Sequence, residues 1–357
     1  MKEIKTIEYA LGQGGDNFLL LRFIAASLVI YGHAPAISGG YAPVDIFVYM
    51  GWSEYSGAIA VDIFFIVSGF LVTGSFSRRQ HLIDFVWARF IRIMPAYTAC
   101  LLLSAFLIGP LFSTHSFKEY ILGHGVYDYV WTNLHLGVDM RWDLPGVFTG
   151  NPQRTTVNGS IWTLPAEVRM YALVALFGLV GAIRWRWLFN IALFALFVFG
   201  SARPHHIPMV PIDSYIQLAA LFGIGGFCYM NRSWIPVHGG LLLAASLVAW
   251  LLRSTVIYPA VFAICEVLFV FWFAYNTRWY GFNRFGDYSY GIYLWGFPMQ
   301  QIVAVLAPLL PALLNALFGF LAALSVAVMS WHVIEKPALR LKGAPRALLG
   351  WITAVFR

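Results

Sequence analysis

FLLLRFIAASLVIYGHAPA, residues 18–36, is long and apolar enough to cross a bilayer as one helix, yet it carries two ionisable side chains, Arg22 and His33. About 20 predominantly apolar residues at 1.5 Å each cover the hydrocarbon core. An ionisable group inside such a stretch is costly, so it faces a protein interior or a wet cavity and marks function. Positions 22 and 33 lie roughly 16 Å apart along a helix. A cation toward one membrane face and an imidazole toward the other suggest a site reached from both sides.

The rest of the chain repeats the apolar theme. Its 357 residues are 60% hydrophobic and 17% aromatic, with only 11% charged. Mean hydropathy is +0.72. This composition excludes an ordinary soluble domain and predicts an all-α polytopic membrane protein. Apolar runs predict about ten transmembrane helices, over 18–36, 57–76, 95–113, 160–182, 186–201, 213–230, 237–253, 257–276, 288–307 and 311–333. Residues 1–17 form a cytoplasmic N-terminal segment, 18–333 the transmembrane domain and 334–357 a basic tail lying on the membrane. Residues 81–93 (HLIDFVWARFIRI) interleave apolar residues with Arg89 and Arg92, the pattern of an amphipathic helix at the inner interface. Residues 114–159 form the longest outer loop, suited to covering a cavity or binding an acceptor.

Charge sets the orientation. With the N-terminus inside, the inner segments hold Lys2, Lys5, Arg78, Arg79, Arg89, Arg92, Arg184, Arg186, Arg232, Arg278, Arg284, Lys336, Arg340, Lys342, Arg346 and Arg357. The outer ones hold only Lys118, Arg141, Arg154, Arg203 and Arg253. The positive-inside rule therefore puts both termini in the cytoplasm. The net charge of +7 is loop charge of this kind, and no nucleic-acid motif accompanies it. Cys100, Cys228 and Cys265 fall in predicted spans without disulfide or metal-ligand spacing. The acceptor sequons at Asn158 and Asn231 are read as chance, and residues 1–17 do not read as a cleaved signal peptide.

On this topology the ionisable residues form two clusters. In the outer half, His33 ends the first span, Asp62 lies about a turn into the second and Glu167 about two turns into the fourth. A carboxylate that fixes its tautomer makes an imidazole a general base. Each has a bland alternative: His33 as an interfacial residue, Asp62 as a helix-start carboxylate, Glu167 as a structural partner of Arg169 or another helix. At the inner face stand Arg22, Arg78, Arg79, Arg89 and Arg92. Arg89 and Arg92 share a helical face, and guanidinium groups suit phosphate. Contact with anionic lipid is the alternative, strongest for Arg78 and Arg79. Tyr31, Ser68 and Trp162 read as packing, and Glu335 with Lys336 and Pro337 as a tie between tail and inner face. Glu266, in mid-span, needs a partner that the sequence does not name.

Six stretches in order resemble the acyltransferase family 3 membrane proteins, integral-membrane O-acyltransferases of bacterial surface glycans. They are LRFIAASLVIYGHA (21–34), AVDIFFIVSGFLVTGSF (60–76), FVWARFIRIMPAY (85–97), NGSIWTLPAEVRMYAL (158–173), FGDYSYGIYLWGFP (285–298) and HVIEKPALRLK (332–342). The resemblance implies transfer of an acyl group, commonly acetyl, from cytoplasmic acyl-CoA to a sugar hydroxyl outside. It implies that His33 is the essential histidine, that Arg22, Arg89 and Arg92 match functional arginines, and that Glu167 matches an acidic position. Some members carry a fused esterase-like domain, which this chain lacks, so transfer would finish in the membrane domain or on a partner.

Acyl-CoA, acetyl-CoA above all, is thus the expected co-substrate, with no metal. Membrane lipids and a glycan or glycolipid acceptor are the expected partners, and the cell inner membrane the expected location. The inner arginines would hold the coenzyme phosphates. His33 would serve as base or transient acyl carrier, oriented by Glu167 in preference to Asp62. Two other classes fit the intramembrane charges: a transporter or flippase of a lipid-linked saccharide, which would show related halves, and a non-catalytic glycan-binding subunit.

Overall fold

The computed structural model describes residues 5–345 except 80, 204, 205 and 208, and for Arg79 and Ser201 the backbone alone. Lys2, Arg346, Arg357 and the rest of the tail beyond 345 lie outside the described residues. The described chain is helical, with isolated β-bridges and no strand.

Five helices are long and apolar enough to cross a membrane: Phe18–Ile37, Ser56–Arg78, Leu82–Phe112, Tyr258–Asn276 and Ala312–Gly343. Three expected spans fall on shorter apolar helices, Arg186–Gly200, Ser214–Met230 and Gly239–Leu251. The last two fall on the helices Leu164–Leu179 and Ser289–Leu306.

Two boundaries differ from expectation. Residues 81–93, expected as a separate interfacial helix, open a helix that runs from Leu82 to Leu103 with Pro95 inside it. Proline removes one backbone hydrogen bond, but neighbouring helices make this tolerable in membrane helices. A π-turn, Ser104–Ile108, carries the helix on to Phe112. Likewise the span expected to end at 333 passes through a π-turn, Trp331–Glu335, into the helix Lys336–Arg340. The described part of the tail therefore docks on protein: the Trp87 indole donates to the Leu341 carbonyl at 2.8 Å.

The chain divides into two compact units. The first comprises Met1–Gly32, Val44–Arg78 and Leu176–Ser289. Aromatic rings knit its core. Phe18 packs on Phe70, Phe271 and Tyr275 with centroids 5.7, 6.4 and 5.6 Å apart, and Phe70 meets Tyr229 at 5.4 Å. Ser56–Arg79 and Ser214–Met230 cross with backbones nearly touching. A Cβ on Gly69 would meet the Phe222 carbonyl, and one on Gly225 the Ile66 carbonyl. Water expulsion gives little drive between helices in lipid, so small residues that allow close van der Waals approach hold them together. Gly225→Leu is expected to destabilise the protein by about 3 kcal/mol, at the upper end for overpacking. Heat-induced labelling of the buried thiols of Cys100, Cys228 and Cys265 would register it as a lower transition temperature.

The second unit comprises His33–Pro43, Arg79–Ala175 and Tyr290–Arg357. The π-turn at 104–108 has a visible use here: the hydroxyl of buried Tyr120 donates to the Ala105 carbonyl at 2.8 Å. That bond docks the 114–159 segment, which contains the helices Phe117–Leu122 and His124–Leu134. The first starts at a Ser116–Glu119 capping box, and the Ser116 hydroxyl holds the Glu119 carboxyl below its ordinary range.

Candidate active site

The second unit holds His33, Arg89, Arg92 and Glu167, and one helix, Ser289–Leu306, organises them. His33 lies one turn before the end of Phe18–Ile37, with Pro35 just beyond it. Its imidazole meets the Phe297 ring edge-to-face, centroids 5.2 Å apart. Its Nδ1 is buried without a hydrogen-bond partner among the described residues. A buried polar atom left unpaired costs free energy, so an acceptor hydroxyl or acyl group at that atom would relieve a deficit.

The motif around Asn158 braces this arrangement. The Asn158 amide donates to the Leu294 carbonyl at 2.9 Å. The Tyr293 hydroxyl donates to the Ser160 carbonyl and lies 2.5 Å from the Thr163 hydroxyl. Gly159 fits flat on the ring beneath His33, since a Cβ there would come within 2.7 Å of Phe297. The 158–163 turn thus acts on His33 through Phe297.

Seven residues back on the same helix, roughly 10 Å along its axis, Tyr290 carries the arginine end. The Arg92 guanidinium lies over the Tyr290 ring at 5.5 Å and 3.6 Å from the Glu335 carboxylate. Glu335 is buried, is placed by the 331–335 π-turn and also accepts from the Ser330 hydroxyl at 3.1 Å. Arg89, one turn before Arg92, lies over the rings of Phe85 and Tyr171 at 6.0 and 5.6 Å. Its Nε is buried and unpaired, and no carboxylate partners Arg89 among the described residues. A guanidinium held between aromatic faces with donors unused is suited to an incoming anion. Glu167 accepts from the Tyr171 hydroxyl, so the structure places it beside the ring under Arg89.

The first unit holds Arg22, Asp62 and Arg78. Arg22 pairs with Asp287 at 2.9 Å, and the Ser289 hydroxyl donates to the other oxygen of that carboxylate at 2.6 Å. Asp62 is buried and accepts from the Gln217 amide at 2.7 Å. Glu266, unassigned from sequence, is buried near Asp62 and Glu54, with Oε1 unpaired. Arg78 is exposed at the end of its helix, and the Arg79 side chain lies outside the described residues. Of the two carboxylates expected to orient His33, Asp62 thus bonds to Gln217 and Glu167 to Tyr171.

Sequence reasoning missed Asp287, Phe297, Tyr171 and the contact of Glu335 with Arg92. Three of the four carry a signal. Asp287 and Phe297 both fall in FGDYSYGIYLWGFP, and Tyr171 follows Glu167 by one helical turn.

Comparison with known proteins identifies a family. A family model described as an acyltransferase domain matches residues 17–332. An O-acetyl transferase of Shigella phage Sf6 is 28% identical over 328 residues, covering 88% of this chain and 93% of that protein. No solved structure gives a significant match.

Proposed function

Because the chain belongs to the acyltransferase family that matches residues 17–332, we propose that this membrane enzyme is an O-acyltransferase moving acetyl from cytoplasmic acyl-CoA to a hydroxyl of an extracytoplasmic glycan or glycolipid. The phage relative's O-acetyl transferase name supports acetyl as the group and oxygen as its destination. The proposed setting is the cell inner membrane, crossed ten times with both termini in the cytoplasm.

The observation that carries the reading is the helix Ser289–Leu306, which carries both Tyr290 under Arg92 and Phe297 against His33. An anion-accepting end and a titratable end on one rigid element suit a substrate with phosphates at one end and a reactive thioester at the other. In this mechanism Arg89 and Arg92 bind phosphate oxygens of acyl-CoA through charge-assisted hydrogen bonds. The extended arm delivers the thioester carbonyl to His33. As the acceptor hydroxyl oxygen attacks that carbon, His33 takes its proton. The tetrahedral intermediate collapses, the carbon–sulfur bond breaks, and the coenzyme leaves as a thiolate that is then protonated. A covalent variant has His33 attack the thioester first and pass the acyl group on. A thioester is already activated, so neither route calls for a metal. Glu167 holds Tyr171 beneath Arg89, and Asp62 with Gln217 stiffens the second span.

The test is transfer of radiolabel from acetyl-CoA to de-O-acetylated bacterial surface polysaccharide by the purified protein in lipid nanodiscs. Label in the polysaccharide, removable by mild base as an ester, is the expected result. Binding or transport of the saccharide with no consumption of acetyl-CoA would overturn the reading.

A further inference from the structure

Within the second unit, Gln301 fixes the segment 151–156 to the site helix. Gln301, one turn beyond Phe297, is fully buried. Its amide nitrogen donates to the carbonyls of Gln153 and Thr156 at 2.8 and 2.6 Å. Its amide oxygen and its own carbonyl accept from the Asn151 amide at 2.8 and 3.0 Å. Both donors and the acceptor of the side chain are thus used on this one segment. A buried glutamine on an apolar helix is costly unless satisfied in this way.

What Gln301 holds is an unusual turn. Thr155 has a φ of 62°, and a β-branched residue rarely adopts the left-handed region unless its surroundings force it. The Thr156 amide closes the turn on the Arg154 carbonyl at 2.8 Å. Arg154 and Thr155 are exposed at its tip, and Arg154 has no carboxylate partner among the described residues. Beside the turn, a Cβ on Gly39, just past the end of the His33 helix, would lie 3.6 Å from the Pro152 ring. Here an unpaired guanidinium stands on a rigid, strained turn clamped one helical turn from the residue that packs on His33.

We infer that the 153–156 turn seats the acceptor saccharide, with Arg154 donating hydrogen bonds to its oxygens and Gln301 as the positioning residue. The inference rests on the acyl-transfer reading and adds to it the element that selects the acceptor. Five N–H donors in a planar fork suit the clustered oxygens of a sugar ring. The clamp fixes those donors beforehand, which lowers the ordering cost of binding.

The experiment uses the full chain in nanodiscs, with radiolabelled acetyl-CoA and de-O-acetylated polysaccharide fragments as the probe. Arg154→Ala is expected to raise the KM for the fragments about tenfold, the effect of losing one charge-assisted hydrogen bond, with kcat within about threefold. Gln301→Leu is expected to raise the same KM by a similar factor and to speed amide hydrogen exchange at 153–157, which Arg154→Ala does not. Arg154 is exposed, so its variant keeps the test open even if Gln301→Leu inserts poorly. An unchanged fragment KM in Arg154→Ala, or a fall in kcat alone, would overturn the inference while leaving acyl transfer standing. Absence of any transfer by the unaltered protein would overturn the acyl-transfer reading and this inference with it.

Discussion

Replacement of His33 by alanine is expected to cut acyl transfer by about 10²- to 10⁴-fold, the range contributed by a positioned general base. The protein should still insert and fold. The imidazole is only half-buried, and among the described residues it makes one ring contact and no hydrogen bond. Loss of that contact costs little, because an unpaired buried nitrogen disappears with it. Binding of acetyl-CoA, measured separately by radioligand filtration, should stay within about threefold, since the proposed phosphate site lies at the other end of the site helix. Full activity in His33→Ala would remove the histidine from the chemistry. Acid-labile label retained on the unaltered protein without acceptor, and lost in His33→Ala, would select the covalent route.

The second large effect is expected at Arg89. Arg89→Ala should raise the KM for acetyl-CoA by about 10- to 100-fold, the equivalent of one or two charge-assisted hydrogen bonds. The folded protein should change little, because among the described residues Arg89 has no carboxylate partner whose charge would be stranded. Arg92 makes the instructive contrast. Arg92→Ala leaves the buried Glu335 carboxylate without its cation, and stranding one member of a buried pair costs about 3–5 kcal/mol. Thermal unfolding should therefore drop for Arg92→Ala and recover when Glu335→Gln is added, with acetyl-CoA affinity still impaired. Unchanged affinity in Arg89→Ala would sink the phosphate role of this cluster.

Much of this was legible in the chain because it is local. Apolar length and period mark the helices, and the place of His33 near a helix end follows from counting residues. The shared face of Arg89 and Arg92 follows from their spacing. What could not be read was partnership across long sequence separations. Arg22 was grouped with the phosphate-suited arginines, yet its partner Asp287 lies 265 residues away, and nothing local announces it. The Tyr171 contact of Glu167 is the opposite case: it lies one turn along the same helix, a spacing the sequence displays. The continuity of the helix through Pro95 was hidden because proline ordinarily ends a helix in water, a rule that packed membrane helices relax.

The π-turn at Trp331–Glu335 bears on how the length of this chain can vary. A π-turn closes its hydrogen bond one residue later than an α-turn, so it works as a single-residue insertion absorbed inside a helix. Everything beyond it is shifted by one position, about 100° of rotation in a helix of 3.6 residues per turn. Deleting one residue between 331 and 335 would leave a sound helix that faces the wrong way. Glu335 would swing away from Arg92, and the Leu341 carbonyl away from Trp87. Charge, hydropathy and helix propensity would scarcely register the loss. In this segment the residue count is itself a functional quantity, one that no substitution at a single position can test.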